Sequence, residues 1–232
     1  ELITHEVNRG FVASVNEGMR ATLNDVVLLN SDTEVAGNWL TRLHHIAQSQ
    51  SDCSTVTPFS NNATICSFPA FCEDNPLPAG LSLGELDSLF SLINAGQSCE
   101  IPTGVGFCMY ITRASLIRVG EFDEAAFGRG YGEENDFCRR AVAAGFQHYH
   151  CADVFVKHKG GVSFSTDASP LQSSAAKVLL RKHPDYDEVV QAFIKRDPAR
   201  RFRERVTQAL EGTAVTPNKD STDNGAACQL AK

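Results

Sequence analysis

Three places in the chain gather side chains whose types and spacing suit work on a phosphate-bearing substrate. Asn30, Ser31 and Asp32 stand where the apolar run of residues 26 to 29 stops. A carboxylate there can hold a divalent cation that bridges diphosphate oxygens. The same acid could instead close an Asx turn or cap a helix opening in TEVAGNWL. Glu133, Glu134 and Asp136 crowd four positions after the glycine-rich GRGYG. Like charges that close raise a carboxyl pKa, which suits a general base near neutral pH. Acids in a first helical turn are also favoured by the backbone dipole, but that leaves the glycines on the approach unexplained. His158 ends the strand-like VFVKH and precedes two glycines, which let a backbone come close to a ligand. His148 and His150 alternate with Tyr149 and Cys151, so they share one strand face and read as hydrogen-bonded or solvated; His44 and His45, in mid-helix, read the same way.

These groups need a scaffold that brings distant segments to one edge. ITHEV reads as a short strand, VASVNEGMRAT as a helix with Val12, Val15 and Met19 at helical spacing, and residues 25 to 30 as the next strand, together a βαβ unit. The unalternating VVLL is what a parallel sheet covered on both faces produces, and ligands of open α/β sheets collect at the carboxyl ends of such strands. Further on come a helix in GNWLTRLHHIAQSQ, a strand in CSTVTPFS, a long loop over 61–80 and a helix over 83–95 with Leu86, Leu89, Phe90 and Ile93 on one face. A strand from Gly106 to Thr112, a short helix stopped by Gly120, a helix in EENDFCRRAVAAG and a strand in QHYHCADVFVKHK complete the pattern. Residues 175 to 212 are helical and charge-rich, broken at KHPDY and RDPAR, and a polar, disordered tail is expected from Thr213.

Composition narrows the class. With 232 residues, 42% hydrophobic and 21% charged, the chain can build one sizeable α/β domain with a small helical appendage. No run approaches the roughly 18 apolar residues of a membrane span, and no secretory signal is recognisable, so a cytosolic protein, or a piece of something larger, is expected. A net charge of -7 argues against a broad surface for nucleic acid, and no nucleic-acid partner is expected. Arg200, Arg201, Arg203 and Arg205 could make a peripheral membrane contact or simply face water. Eight cysteines without a CxxC pair or regular spacing read as reduced, mostly buried thiols.

The segments NRGFVASVNEGM, LLNSDTEV, TPFSNNATICSFP, IPTGVGFCMYITR, VGEFDEAAFGRGYGEENDFCRRA and VFVKHKGGVSF, in that order over residues 5 to 165, resemble family 2 glycosyltransferases of the bacterial polysaccharide or O-antigen type. That resemblance implies an α/β GT-A fold: a Rossmann-like, mostly parallel sheet flanked by helices, over residues 1–170, then a helical extension at 171–212 and a tail at 213–232. It implies transfer of a sugar from a nucleotide-diphosphate donor to a glycan or lipid-linked acceptor, with inversion and with Mg²⁺ or Mn²⁺, in the cytoplasm or at the inner face of its membrane.

Residue by residue, NSD stands in the place of the family's DxD motif, making Asp32 a metal ligand, with His158 resembling the late metal- or diphosphate-contacting histidine. Asn30 replaces the first acid of the motif, which removes a charge from it. Asp136 and Arg140 match the family's downstream Asp and Arg, which puts Glu134 at the base position; Glu for the more usual Asp leaves Glu133 in competition. Asn8, Gly10 and Asn16 resemble the donor-pocket turn and helix, and Ser31 lies within the NSD segment. Thr103, Gly104 and Gly106 resemble the lining of the donor-sugar and acceptor cleft. The family's first two strands have no counterpart here, so an N-terminally incomplete domain, accompanied by further domains of a parent chain, is expected, and this piece alone could be inactive. A non-catalytic nucleotide-sugar-binding or scaffold module is the second reading.

Overall fold

The computed structural model describes residues 2–128, 130–160 and 168–214. The first helix, α1 (Phe11–Arg20), leads to strand β1 (Val26–Leu29) and the two-residue strand β2 (Thr33–Glu34). Helix α2 (Trp39–Ser49), strand β3 (Cys53–Ser60), helix α3 (Leu83–Ile93) and strands β4 (Ser98–Ile101) and β5 (Cys108–Ile111) follow. Then come α4 (Arg113–Val119), α5 (Glu124–Phe127), α6 (Glu133–Ala143), strand β6 (Gln147–His158) and three helices, α7 (Ala168–Lys182), α8 (Tyr186–Arg196) and α9 (Arg200–Ala214). Most of the expected disordered tail lies outside the described residues.

Pairing is mixed and mainly antiparallel. The order is β1-β5-β3-β6-β2, with β4 also on β6; β3 and β6 run parallel, while the β1–β5, β3–β5, β4–β6 and β2–β6 pairs are antiparallel. This corrects the mostly parallel sheet expected from VVLL. The run is also less covered than a doubly buried strand: β1 lies at the end of the strand order, Val26, Val27 and Leu28 are half-buried and Leu29 is 43% exposed, so a short apolar run fixes neither full burial nor the direction of its neighbour. ITHEV forms no strand and lies exposed ahead of α1, so there is no βαβ unit at the start. Asp32 caps no helix either: β2 intervenes, and α2 begins behind Asn38.

The central strand β3 is buried along all eight residues because β5 and β6 flank it. Pro58 cannot donate to a ladder, and the β3–β6 register shifts between Pro58 and Phe59. Alternation along β5 sends Cys108 and Tyr110 into a core with Leu43 and Ile46 of α2, and Met109 and Ile111 into a core with Val12, Met19 and Phe137. A third core sets Phe59, Phe68, Phe90 and Phe155 against Phe202 and Val206 of α9. Phe193 of α8 joins the first core, so the C-terminal helices pack into the body of the protein.

His148 and His150 are fully buried beneath these layers. His148 meets the Thr55 hydroxyl at 2.7 Å and the Cys138 carbonyl at 3.0 Å, and His150 meets the Thr57 carbonyl at 2.9 Å. Burial pushes both down to about 4, so they serve as neutral core groups. Arg203 is buried too, clamped to Asp197, so the basic run on α9 presents only Arg200, Arg201 and Arg205 outward. Five of the seven described cysteines are buried. Among the described residues no helix is long and apolar enough to cross a membrane.

Candidate active site

β1 is short because Asn30 turns the chain out of the sheet: its N–H donates to the Phe107 carbonyl at 2.9 Å, while its own carbonyl accepts the Thr33 hydroxyl at 2.6 Å. That turn delivers Asn30 and Ser31 to the rim of a cavity of about 660 Å³, within the size range of ligand sites. Asp32 follows. Its backbone carbonyl accepts from Lys159 N–H at 3.0 Å, which ties the turn to the far end of β6.

That far end carries His158. Its Nδ1 donates to the Asn62 carbonyl at 2.7 Å, and its ring stacks on Phe107 with centroids 5.3 Å apart. With Nδ1 carrying the proton, Nε2 offers a lone pair, and it faces Asp32 Oδ2 at 3.5 Å. Asp32 Oδ1 is buried with no hydrogen-bond partner. A buried carboxylate oxygen without a donor, beside an imidazole whose orientation is fixed from behind, fits a divalent cation. Among the described residues no three His, Cys, Asp or Glu side chains converge, so this pair would leave most of a cation's coordination to ligand oxygens and water.

Opposite chemistry comes from the start of α6. Gly128, Gly130, Tyr131 and Gly132 all have positive φ, at 53°, 128°, 71° and 87°. At Gly132 a Cβ would lie 3.1 Å from the Phe127 ring, so that turn admits no side chain. Tyr131 holds the left-handed conformation despite its bulk, a strain of the kind found at ligand sites. The turn aims Glu133 and Glu134 at the cavity. Gly106 faces them: a Cβ there would come 3.5 Å from the Glu134 carboxylate, and its absence leaves that group open.

The two acids hold a proton between them. Burial first, then the charge of Glu134 and the hydrogen bond to it, push Glu133 up to about 9, so at neutral pH Glu133 is the proton-bearing donor. Burial also raises Glu134 above the usual carboxylate range, although the bond from Glu133 pulls the other way; Glu134 is thus the carboxylate of the pair. Because the folded state holds the Glu133 proton well above 4.5, where the unfolded chain releases it, this stability is full below that pH and is lost as pH rises toward 9. Glu133→Gln, which keeps a donor and removes the proton, is expected to raise stability at pH 8 by more than about 1 kcal/mol and to change it little at pH 5. Urea midpoints at the two pH values check this.

Several expected site residues lie elsewhere. Asp136 is fully buried away from the cavity, bonded to Arg140 Nε at 2.7 Å, Lys182 Nζ at 2.9 Å and His183 Nε2 at 2.8 Å. Burial would raise its pKa, but Lys182, His183 and Arg140 outweigh that and hold it below the usual range, so it is an anchor and no general base. Asn16 spends both ends of its amide on the Phe122 backbone, at 2.9 and 3.1 Å, which leaves nothing for a donor. Thr103 donates to Asn135 at 2.9 Å and is buried under the floor, and Gly104 is there because a Cβ would press on Met109 and Thr55 at 3.1 Å. Asn8 accepts from Gly10 N–H at 2.8 Å in the turn before α1 and reaches the site only by setting Phe11 at the cavity wall.

Other lining groups carry no sequence signal of their own. Phe107 and Phe11 follow glycines in loops, and Ala176, Leu179 and Leu180 belong to α7, where the stripe resembles any packed helix face.

No family model and no curated protein matches the sequence. Among solved structures, the crystal structure of GalNAc-T7 with UDP, GalNAc and Mn²⁺ superposes with a TM-score of 0.53 at 14% identity, over 92% of this chain. The chain spans 46% of that structure's length. At this identity the likeness shows the fold alone: an α/β sheet flanked by helices, of the GT-A type.

Proposed function

We propose that this chain is the catalytic part of a metal-assisted glycosyltransferase that moves a sugar from a nucleoside-diphosphate donor to an acceptor hydroxyl with inversion. The observation that carries this is one cavity with two chemistries: Asn30, Ser31 and His158, backed by Asp32, on the sheet edge, and the Glu133–Glu134 pair at the start of α6. The GT-A-type fold supports it, as does the UDP and Mn²⁺ in the GalNAc-T7 structure. Membership of family 2, and a role in cell-surface polysaccharide synthesis on the cytoplasmic side of a membrane, rest on the sequence resemblance.

Asp32 and His158 would hold Mg²⁺ or Mn²⁺, whose chemistry is to neutralise charge on the departing diphosphate. Glu134 accepts the proton of the acceptor hydroxyl as that oxygen attacks the anomeric carbon, and Glu133 keeps its own proton and orients its neighbour. Phe107 and Asn62 fix the His158 ring, so the polar end of the cavity is preorganised before any ligand arrives.

The test is release of nucleoside diphosphate from a panel of nucleotide sugars with Mn²⁺, with the product anomer read by NMR. Metal-dependent turnover with an inverted anomeric centre supports the proposal; tight donor binding without turnover assigns a binding module instead. Asp32→Asn is expected to weaken Mn²⁺ binding in the presence of UDP by at least about tenfold, read by calorimetry.

A further inference from the structure

His158 lies where the sheet runs out. The parallel ladder between β3 and β6 ends at the Ser60–Val156 pair, before Lys157 and His158, and on the other side β2 offers only Thr33 and Glu34. A side chain takes over from β3. Asn61 Oδ1 accepts the His158 N–H at 2.9 Å, and Asn61 Nδ2 donates to the His158 carbonyl at 2.9 Å. An amide presents a carbonyl acceptor and an NH₂ donor in one plane, so it can stand in for a peptide unit of a neighbouring strand; a carboxylate or an alkyl group cannot supply both bonds. Asn75 holds Asn61 in turn: its N–H donates to the Asn61 carbonyl at 2.9 Å, and its carbonyl accepts from Asn61 Nδ2 at 3.3 Å.

The carbonyl of the next residue, Asn62, takes the His158 Nδ1 proton at 2.7 Å. Two consecutive residues thus grip the backbone and the ring of one histidine. The fit is close: Gly160 has a φ of 65°, and a Cβ there would run into the Asn62 side-chain amide. We infer that Asn61 is a positioning residue, which sets the His158 imidazole so that Nε2 faces Asp32 before a divalent cation arrives. The identity of the ion rests on the metal-assisted reading above, whereas the grip on the ring stands on its own bonds. Groups that orient a ligating histidine from behind typically carry about tenfold to hundredfold of the metal affinity.

Asn61→Ala and Asn61→Leu test this, the first leaving room for water and the second keeping the volume, with folding verified by circular dichroism. The metal-free measurement is the ring signature of His158 by ¹⁵N NMR. The wild-type chain is expected to show the Nδ1–H tautomer alone, and both variants a mixture of tautomers with a weaker ring-current shift from Phe107. The second measurement is calorimetric Mn²⁺ affinity in the presence of UDP, expected to fall at least about tenfold in both. Ser82→Ala removes the capping box of α3 and touches nothing at His158, so it controls for lost stability and should leave both readings unchanged. An unaltered His158 signature in the Asn61 variants overturns the inference, as does an altered signature with Mn²⁺ affinity intact. A fall in affinity matched by Ser82→Ala overturns it too, since that marks general loosening. Failure of the wild-type chain to bind Mn²⁺ would sink the metal-assisted reading, and the metal-free signature then still decides whether Asn61 sets the ring.

Discussion

Glu134→Gln is expected to lower turnover by about 10²–10⁴-fold with donor affinity and Mn²⁺ binding unchanged, whereas Glu133→Gln should keep turnover within about tenfold. The two carboxyls sit side by side at the head of α6, yet they differ in protonation. Glu133 is held protonated by burial and by its neighbour, and a group that keeps its proton up to about pH 9 cannot collect another at neutral pH. Glu134 is the partner left ionised, and its carboxylate is the group nearest the space that Gly106 leaves open. The acid limb of the pH–rate profile should lie above the ordinary carboxylate range, because Glu134 must lose its proton to act and its pKa is raised. Steady-state kinetics from pH 5 to 9 on both variants check this. Activity lost equally in the two would mean that the pair acts as one unit; activity lost only in Glu133→Gln would exchange their roles.

Much of the scaffold is legible locally. β3, α3, α4, α6 and β6 have their signals inside their own sequences: an apolar run closed by a loop, a Ser82–Glu85 capping box, a Gly120 stop, a row of acids at a helix start. What local sequence does not carry is who pairs with whom. VVLL reads the same whether its neighbour runs with it or against it, and the antiparallel β1–β5 pair, from Val26–Ile111 to Leu29–Cys108, joins segments far apart in the chain. ITHEV has alternation enough for a strand, but no edge accepts it in this chain. The two residues of β2 are too few to leave any periodicity.

At the site, residue types that are rare for their surroundings were legible and residues of common type were not. An acid after an apolar run, paired glutamates behind three glycines and a histidine at a strand end each stand out; the glutamates and the histidine line one cavity, and Asp32 stands 3.5 Å from the histidine. Asp136 stands out equally yet belongs to an ion cluster, because its partners Lys182 and His183 come from a helix boundary 46 and 47 positions on. Asn16, Thr103 and Gly104 are polar or small for reasons of packing and backbone satisfaction that only the folded contacts reveal. The Ala176, Leu179 and Leu180 stripe on α7 is legible as a helix face but not as part of a cavity wall.

Asp136→Ala is expected to be the most destabilising single change near the site, costing about 2–4 kcal/mol. Two cations and an imidazole converge on this fully buried carboxylate: Arg140 from its own helix, Lys182 at the end of α7 and His183 just beyond it. Removing the acid leaves them facing one another. Arg140 and Lys182 are 26% and 31% exposed, so water recovers part of the loss, which keeps the expected cost at the lower end for a broken buried pair. Lys182→Met should cost less than about 1 kcal/mol, since Arg140 and His183 still hold Asp136. The asymmetry follows from which partner is buried. Because the folded pKa of Asp136 lies below its ordinary value, this stability is present above about pH 4 and is lost as pH falls further through the folded value. The anchor also ties α7, and with it Ala176 and Leu180, to the helix that carries Glu134. Hydrogen exchange in Asp136→Ala should therefore rise along α7 more than along α3, which shares none of these bonds. Uniform loss of protection would instead mean that α7 and the sheet unfold as one unit.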